Sequence, residues 1–273
     1  MSPKPLLPSF GHVRLATLED LPRIAPVAAA GFFWSPTFQF QRPLHAKFPN
    51  DTIASYWDEY QAAIRDPGSV VIVAEDLVDE KEDGGVYEAL RTASAYSACL
   101  VVGVQVVVGV CSINLRPGSP HIGQFQSGSK LIQSTCSNSD KVLTDLSRDV
   151  DDEAARLYNE ATAPAKAKYL AGLMRLSTLA VHPTYWGRGH ATRLVDWCAR
   201  LADIEYVPLG VSAAPMGATV AAKAGFKECE LVQVKRSEEE DAEVTLWVAV
   251  RQPSRSRPTE NTMQSETPPT DSE

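Results

Sequence analysis

Residues 176–194 read LSTLAVHPTYWGRGHATRL, and the rest of the chain is best understood outward from them. Leu176 to Val181 is an apolar run of strand length, Pro183 ends it, and Gly187 and Gly189 open a loop. Ala191, Leu194, Val195 and Cys198 then recur at helical spacing. A strand, a glycine loop and a helix in that order make an anion cradle. Glycine lets the backbone approach a ligand closely, and the unpaired N–H groups of the first helical turn point at it with the positive end of the helix dipole behind them. A pyrophosphate suits such a cradle. The plain alternative is a strand-loop-helix connection in which the glycines serve only the turn.

Other phosphate and nucleophile patterns fail on particular residues. Gly118 and Gly123 have the spacing of a phosphate-binding loop, but Gln124 stands where the lysine is needed. A dinucleotide fingerprint requires a third glycine where Thr192 stands, and its usual place is near the start of a chain. There is no Gly-x-Ser-x-Gly elbow. His12, His45, His121, His182 and His190 show no metal-ligand spacing, so the histidines read as structural and no metal is expected.

The 273 residues are 44% hydrophobic and 22% charged, ordinary globular composition with enough length to bury a core. A formal charge of -8 offers no basic face for nucleic acid or an anionic membrane. Cys99, Cys111, Cys136, Cys198 and Cys229 are odd in number and scattered, which fits reduced thiols. The opening MSPKPLLPSF is broken by prolines and does not read as a secretory signal. The expected compartment is the cytoplasm, with the nucleus also open, and the sequon at Asn50 is expected to be inert. Residues 95–111 are the one stretch apolar enough to suggest a membrane span, but their valines favour a strand broken near Gly103.

The expected elements are strands over 13–16, 69–75, 107–115, 173–181, 207–213, 226–234 and 244–251. The expected helices follow Thr17 (disturbed at Pro26), Asp51, Gly189 and Gly217. Residues 79–85 read as a solvated loop. Residues 116–171 look inserted, with an amphipathic helix that puts Leu146, Val150, Ala154 and Leu157 inward and Asp149 and Asp152 outward. The domain is expected over 11–251, after an extension at 1–10 and before a disordered tail at 252–273 that has almost nothing to bury.

Taken together, the glycine loop, the strand before it and the downstream Ala224-Gly225-Phe226 resemble the GNAT superfamily of acetyl-CoA-dependent N-acetyltransferases. Its signature, Gln/Arg-x-x-Gly-x-Gly/Ala, falls on Trp186-Gly187-Arg188-Gly189-His190-Ala191, with Trp186 departing at the first position. The resemblance implies an α/β fold with a mixed, mostly antiparallel twisted sheet flanked by helices, and an insertion before the CoA-binding strand. It also implies acetyl-CoA as co-substrate. The backbones of Leu179 and Val181 would pair with the pantetheine arm beside a splayed strand. Residues 187–192 (Gly187, Arg188, Gly189, His190, Ala191 and Thr192) would hold the pyrophosphate. Direct attack by a small-molecule or peptide amine is implied by the same resemblance. The family's usual tyrosine acid and its asparagine are replaced here by Ala221 and Ala214, so neither acid nor base is identified. Phe32, Phe33, Trp34, Phe38 and Phe40 lie where the family lines its acceptor pocket, or are core. The insertion is expected to shape the acceptor side. A catalytically weak CoA-binding scaffold of the same fold is the alternative.

Overall fold

A computed structural model describes residues 6–96, 101–126, 147–235 and 243–254. Its strands are β1 (Val13–Leu15), β2 (Ser69–Leu77), β3 (Gln105–Asn114), β4 (Met174–Val181), β5 (Leu209–Ala213), β6 (Lys227–Lys235) and β7 (Glu243–Arg251). They form one sheet in the order β1-β2-β3-β4-β5-β7-β6. Every neighbouring pair is antiparallel except β4 and β5. The helices are α1 (Leu21–Phe32), α2 (Pro36–Gln41), α3 (Pro49–Arg65), α4 (Glu88–Arg91), α5 (Asp152–Leu170), α6 (His190–Glu205) and α7 (Pro215–Lys223).

Alternation along β2 builds two cores at once. Val70, Ile72 and Ala74 face α6 with Leu194, Trp197 and Leu201, while Val71 and Val73 face α1 and α3 with Ile24, Ile53 and Tyr60. Beyond β4, α5 takes over the face that α1 and α3 cover. Its Ala154, Tyr158, Ala165 and Leu170 bury against Val234, Val244, Leu246 and Val248. The two helical layers therefore flank the β4–β5 junction from either side.

Several expectations change. Pro26 lies within a continuous α1 and is buried, since the missing N–H costs one hydrogen bond that the packed face outweighs. The inserted helix begins at Asp152, not earlier. Asp151 caps it, accepting from the N–H groups of Glu153 and Ala154 at 3.0 and 3.1 Å. Asp149, expected outside, is fully buried, because Arg42 and Thr52 donate to its carboxylate. The N-terminal part of the expected helix, residues 142–146, lies outside the described residues, as do Cys99, Cys136 and residues 255–273 of the expected tail. Ser254 itself is tied down, its N–H donating to Asp203 at 2.8 Å. At the other end Phe10 stacks on Trp197 at 5.3 Å. No helix of the described residues is long and apolar enough to cross a membrane.

Candidate active site

The parallel partnership of β4 and β5 is brief. It spans Met174, Arg175 and Leu176 opposite Leu209, Gly210 and Val211, whereas β5 pairs with β7 along its whole length to Ala213. At the same point Ser177 is an extra residue in β4, because Ile113 faces Leu176 while Ser112 faces Thr178. A bulge bends its strand and re-aims the residues beyond it. The His182 N–H donates to the Val108 carbonyl at 2.9 Å. Antiparallel alternation then leaves Leu179 and Val181, opposite Cys111 and Gly109, with N–H and C=O pointing away from β3 into the gap.

One of those groups is already engaged. The Trp186 indole N–H donates to the Val181 carbonyl at 2.7 Å, so the residue that departs from the signature closes an acceptor at the end of the open edge. Trp186 is 39% exposed and meets Trp34, 50% exposed, edge to face at 6.1 Å. From α1, Gly31 crosses the same spot so closely that a Cβ would lie 2.8 Å from the Val181 oxygen.

After a short helical turn, Pro183–Tyr185, the loop passes through Gly187 and Gly189 at φ 78° and 85°. That backbone region strains any residue with a Cβ. A Cβ at either glycine would meet nothing within 4 Å, so the loop has open space beside both. Gly189 offers no side-chain cap, which leaves the N–H groups of His190, Ala191 and Thr192 without intrahelical partners. The side chains of Arg188 and His190 turn elsewhere. Arg188 donates to Asp79 at 2.5 Å and lies over the Tyr185 ring at 4.9 Å, and His190 Nε2 is 3.0 Å from Asp76. Burial opposes ionisation of Asp76, yet the Leu77 N–H, His190 and Arg188 outweigh it and hold the carboxyl below its usual range.

Residues 79–85 are not simply a solvated loop. Their Glu82 is 4% exposed, accepting Arg23 Nη1 at 2.5 Å and the Tyr185 hydroxyl at 2.6 Å. Arg23 also donates to the Val107 carbonyl at 2.8 Å, and Thr184 donates to the Glu82 carbonyl at 2.9 Å. This buried knot locks the turn that launches the glycine loop onto α1 and β3. Removing one partner of a buried ion pair strands the other, at a cost of about 3–5 kcal/mol. Glu82→Ala should lose about that much in urea denaturation, and Arg23→Met with Glu82→Leu should recover part of it. A loss below about 1 kcal/mol for Glu82→Ala would show that the pair is not buried in solution.

His182 lies beside this knot, fully buried, with neither ring nitrogen partnered in the protein. Burial, reinforced by the Arg23 charge, pushes its pKa down from 6.5 to about 4. The unfolded chain therefore binds a proton that the folded chain refuses between these values, and stability falls as pH drops from 6.5 towards 4. The full effect is about 3 kcal/mol. Urea melts across that window should slope less steeply in His182→Phe than in the wild type; equal slopes would count against the assignment.

The aromatic cluster divides. Phe38 and Phe40 are buried in two different cores, Phe32 stacks on Tyr56 at 5.3 Å and Phe33 on Tyr87 at 4.2 Å, while Trp34 meets Trp186 beside the gap. Ala221 is 3% exposed in the core and Ala214 caps α7 with backbone alone. Residue spacing carried no signal for a hydroxyl chain at the bulge, in which the Tyr60 hydroxyl donates to Thr178 Oγ1 at 3.0 Å and Ser112 Oγ lies 2.6 Å from the same atom. Cys111 and Cys198 are buried 3.7 Å apart, and the hydrogen bond between them, with burial, drives the Cys111 thiol upward. Among the described residues no group of three potential ligands could hold a metal ion.

No family model matches the chain. An acetyltransferase of Stachybotrys chartarum is 31% identical over 223 residues, covering 82% of this chain and 83% of that protein. At that identity and coverage the chain belongs to the acetyltransferase family. It is an acyltransferase. Solved structures of similar outline include a mosquito arylalkylamine N-acetyltransferase-like protein, with 17% identity, 88% of this chain and 98% of that one covered, and a TM-score of 0.48. Another is the N-acetyltransferase PaiA of Thermoplasma acidophilum in complex with coenzyme A, with 9% identity, coverage of 88% and 97%, and a TM-score of 0.42.

Proposed function

We propose that the protein moves an acetyl group from acetyl-CoA to a primary amine by direct attack, with both substrates bound together. The observation that carries this reading is the open edge of β4 running from the bulge at Ser177 to the glycine loop. Residues 187–192 would hold the pyrophosphate through backbone N–H groups, which fits a loop with open space beside both glycines. The pantetheine arm would lie against Leu179 and Val181, whose N–H groups are free to pair; the Val181 carbonyl, held by Trp186, would contribute less. A strand N–H at this edge would polarise the thioester oxygen. Proximity supplies much of the rate, since effective molarities reach about 10⁵ M or more.

The acceptor would approach on the α1–α3 and α5 face, where Trp34 and the hydroxyls of Thr178 and Ser112 lie. Cys111 and Cys198 are buried with a suppressed thiolate at Cys111, which favours direct transfer over an acetyl-cysteine. Thiol release measured against a panel of amines, with both substrates varied, tests the proposal. Intersecting initial-rate lines and no acetylated enzyme by mass spectrometry are expected. A stoichiometric acetyl-cysteine that chases to product would overturn direct transfer. Tight acetyl-CoA binding with no transfer to any amine would favour a CoA-binding scaffold.

A further inference from the structure

At the far end of β4 from the glycine loop, a cavity of about 340 Å³ opens between the last turn of α5 and the first residues of β4. We propose that it binds the anionic group, carboxylate or phosphate, of a small molecule. Its lining includes Lys166, Arg175 and Asn114 with the apolar Leu170, Leu173 and Pro117, and holds no acid. The chain carries 34 acidic against 26 basic residues, yet neither Lys166 nor Arg175 has a carboxylate partner among the described residues. Both are half-buried.

They are also close enough to feel one another. The Lys166 ammonium sits over the Tyr158 ring at 5.2 Å, and burial together with the Arg175 charge lowers its pKa. Two half-buried cations facing one space without a counter-charge cost free energy that an anion would return. The carbonyl end of α5 supplies about half a charge at most, which leaves most of the imbalance. Six residues of extended strand separate Arg175 from Val181, about 20 Å, so the cavity is distinct from the glycine loop. Arg175 faces α5, as its neighbour Gly210 does. The cavity therefore opens on the face proposed for the acceptor, about 10 Å along β4 from Thr178.

Inorganic phosphate titrated into the full chain, monitored by amide NMR, tests the site without any reliance on acetyl transfer. Saturable shifts are expected at Gly172 and Leu173, separate from any at residues 187–192. In Lys166→Gln with Arg175→Gln, affinity at Gly172 and Leu173 should fall at least about tenfold. Lys166→Gln alone, on the helix surface, should fall severalfold and covers the case in which the double variant does not fold. Absence of shifts at Gly172 and Leu173, or unchanged affinity in the variants, overturns the proposal. A second arm identifies the source of the anion. If it is the acceptor's own tail, an amine with a terminal carboxylate should show a lower KM than its uncharged counterpart, and Lys166→Gln should erase the difference. If phosphate binds but KM values match, the ligand is a separate molecule.

Discussion

Gly189→Glu should abolish acetyl-CoA binding while leaving the protein folded. The glycine sits at φ 85° at the head of α6 with open space where a Cβ would be. A glutamate there would place a negative charge within about 5 Å of a bound pyrophosphate, which at an effective dielectric near 20 costs about 3 kcal/mol, or about two orders of magnitude in affinity. Backbone strain contributes about 1–2 kcal/mol more to folding and is separated by a control. Gly189→Asn tolerates the left-handed conformation without the charge, and calorimetry should find its affinity within about tenfold of wild type. Wild-type affinity in folded Gly189→Glu would mean that the pyrophosphate lies elsewhere.

Replacing residues 118–165 by a short linker should prevent the domain from folding, not merely alter amine preference. An inserted helix that only roofed a groove would be dispensable. Here Ala154, Tyr158 and Ala165 of α5 cover Val234, Val244, Leu246 and Val248 of β6 and β7. Each large apolar side chain returned to water costs about 1.5–3 kcal/mol, so exposing this set exceeds about 5 kcal/mol, the lower end of a domain's entire stability. Residues 118–121 add to the loss. Ser119 and His121 both hold the buried Glu205 side chain at the end of α6, at 2.6 and 2.8 Å. A cooperative thermal transition within a few degrees of wild type would show that the sheet finds another cover.

Much of this architecture was legible without coordinates because it depends on local chemistry. The period of Ile53, Tyr56, Tyr60 and Ile64 marks α3, and valine-rich runs mark β2 and β3. Gly187 and Gly189 announce a loop whose left-handed backbone glycine adopts most readily. Each of these signals arises from neighbours in sequence, through backbone geometry and the burial of one face. The signature then carried the family, which the Stachybotrys relative bears out.

Pairings across long separations were settled only when the chain folded. Asp149 looks solvent-facing on its own segment and becomes buried because Arg42 and Thr52 arrive from about a hundred residues away. Glu82 sits in a run of charged residues and glycines that reads as a surface loop, until Arg23 and Tyr185 draw it inward. Lys166 and Arg175, nine positions apart in sequence, face one cavity because α5 folds back over β4. Propensity and periodicity act within a few residues, and so the strands, most of the helices and the glycine loop are written into the chain itself. Which charges are buried, which are paired and which are left facing empty space depends on partners brought together by the sheet, and no local pattern encodes their arrival.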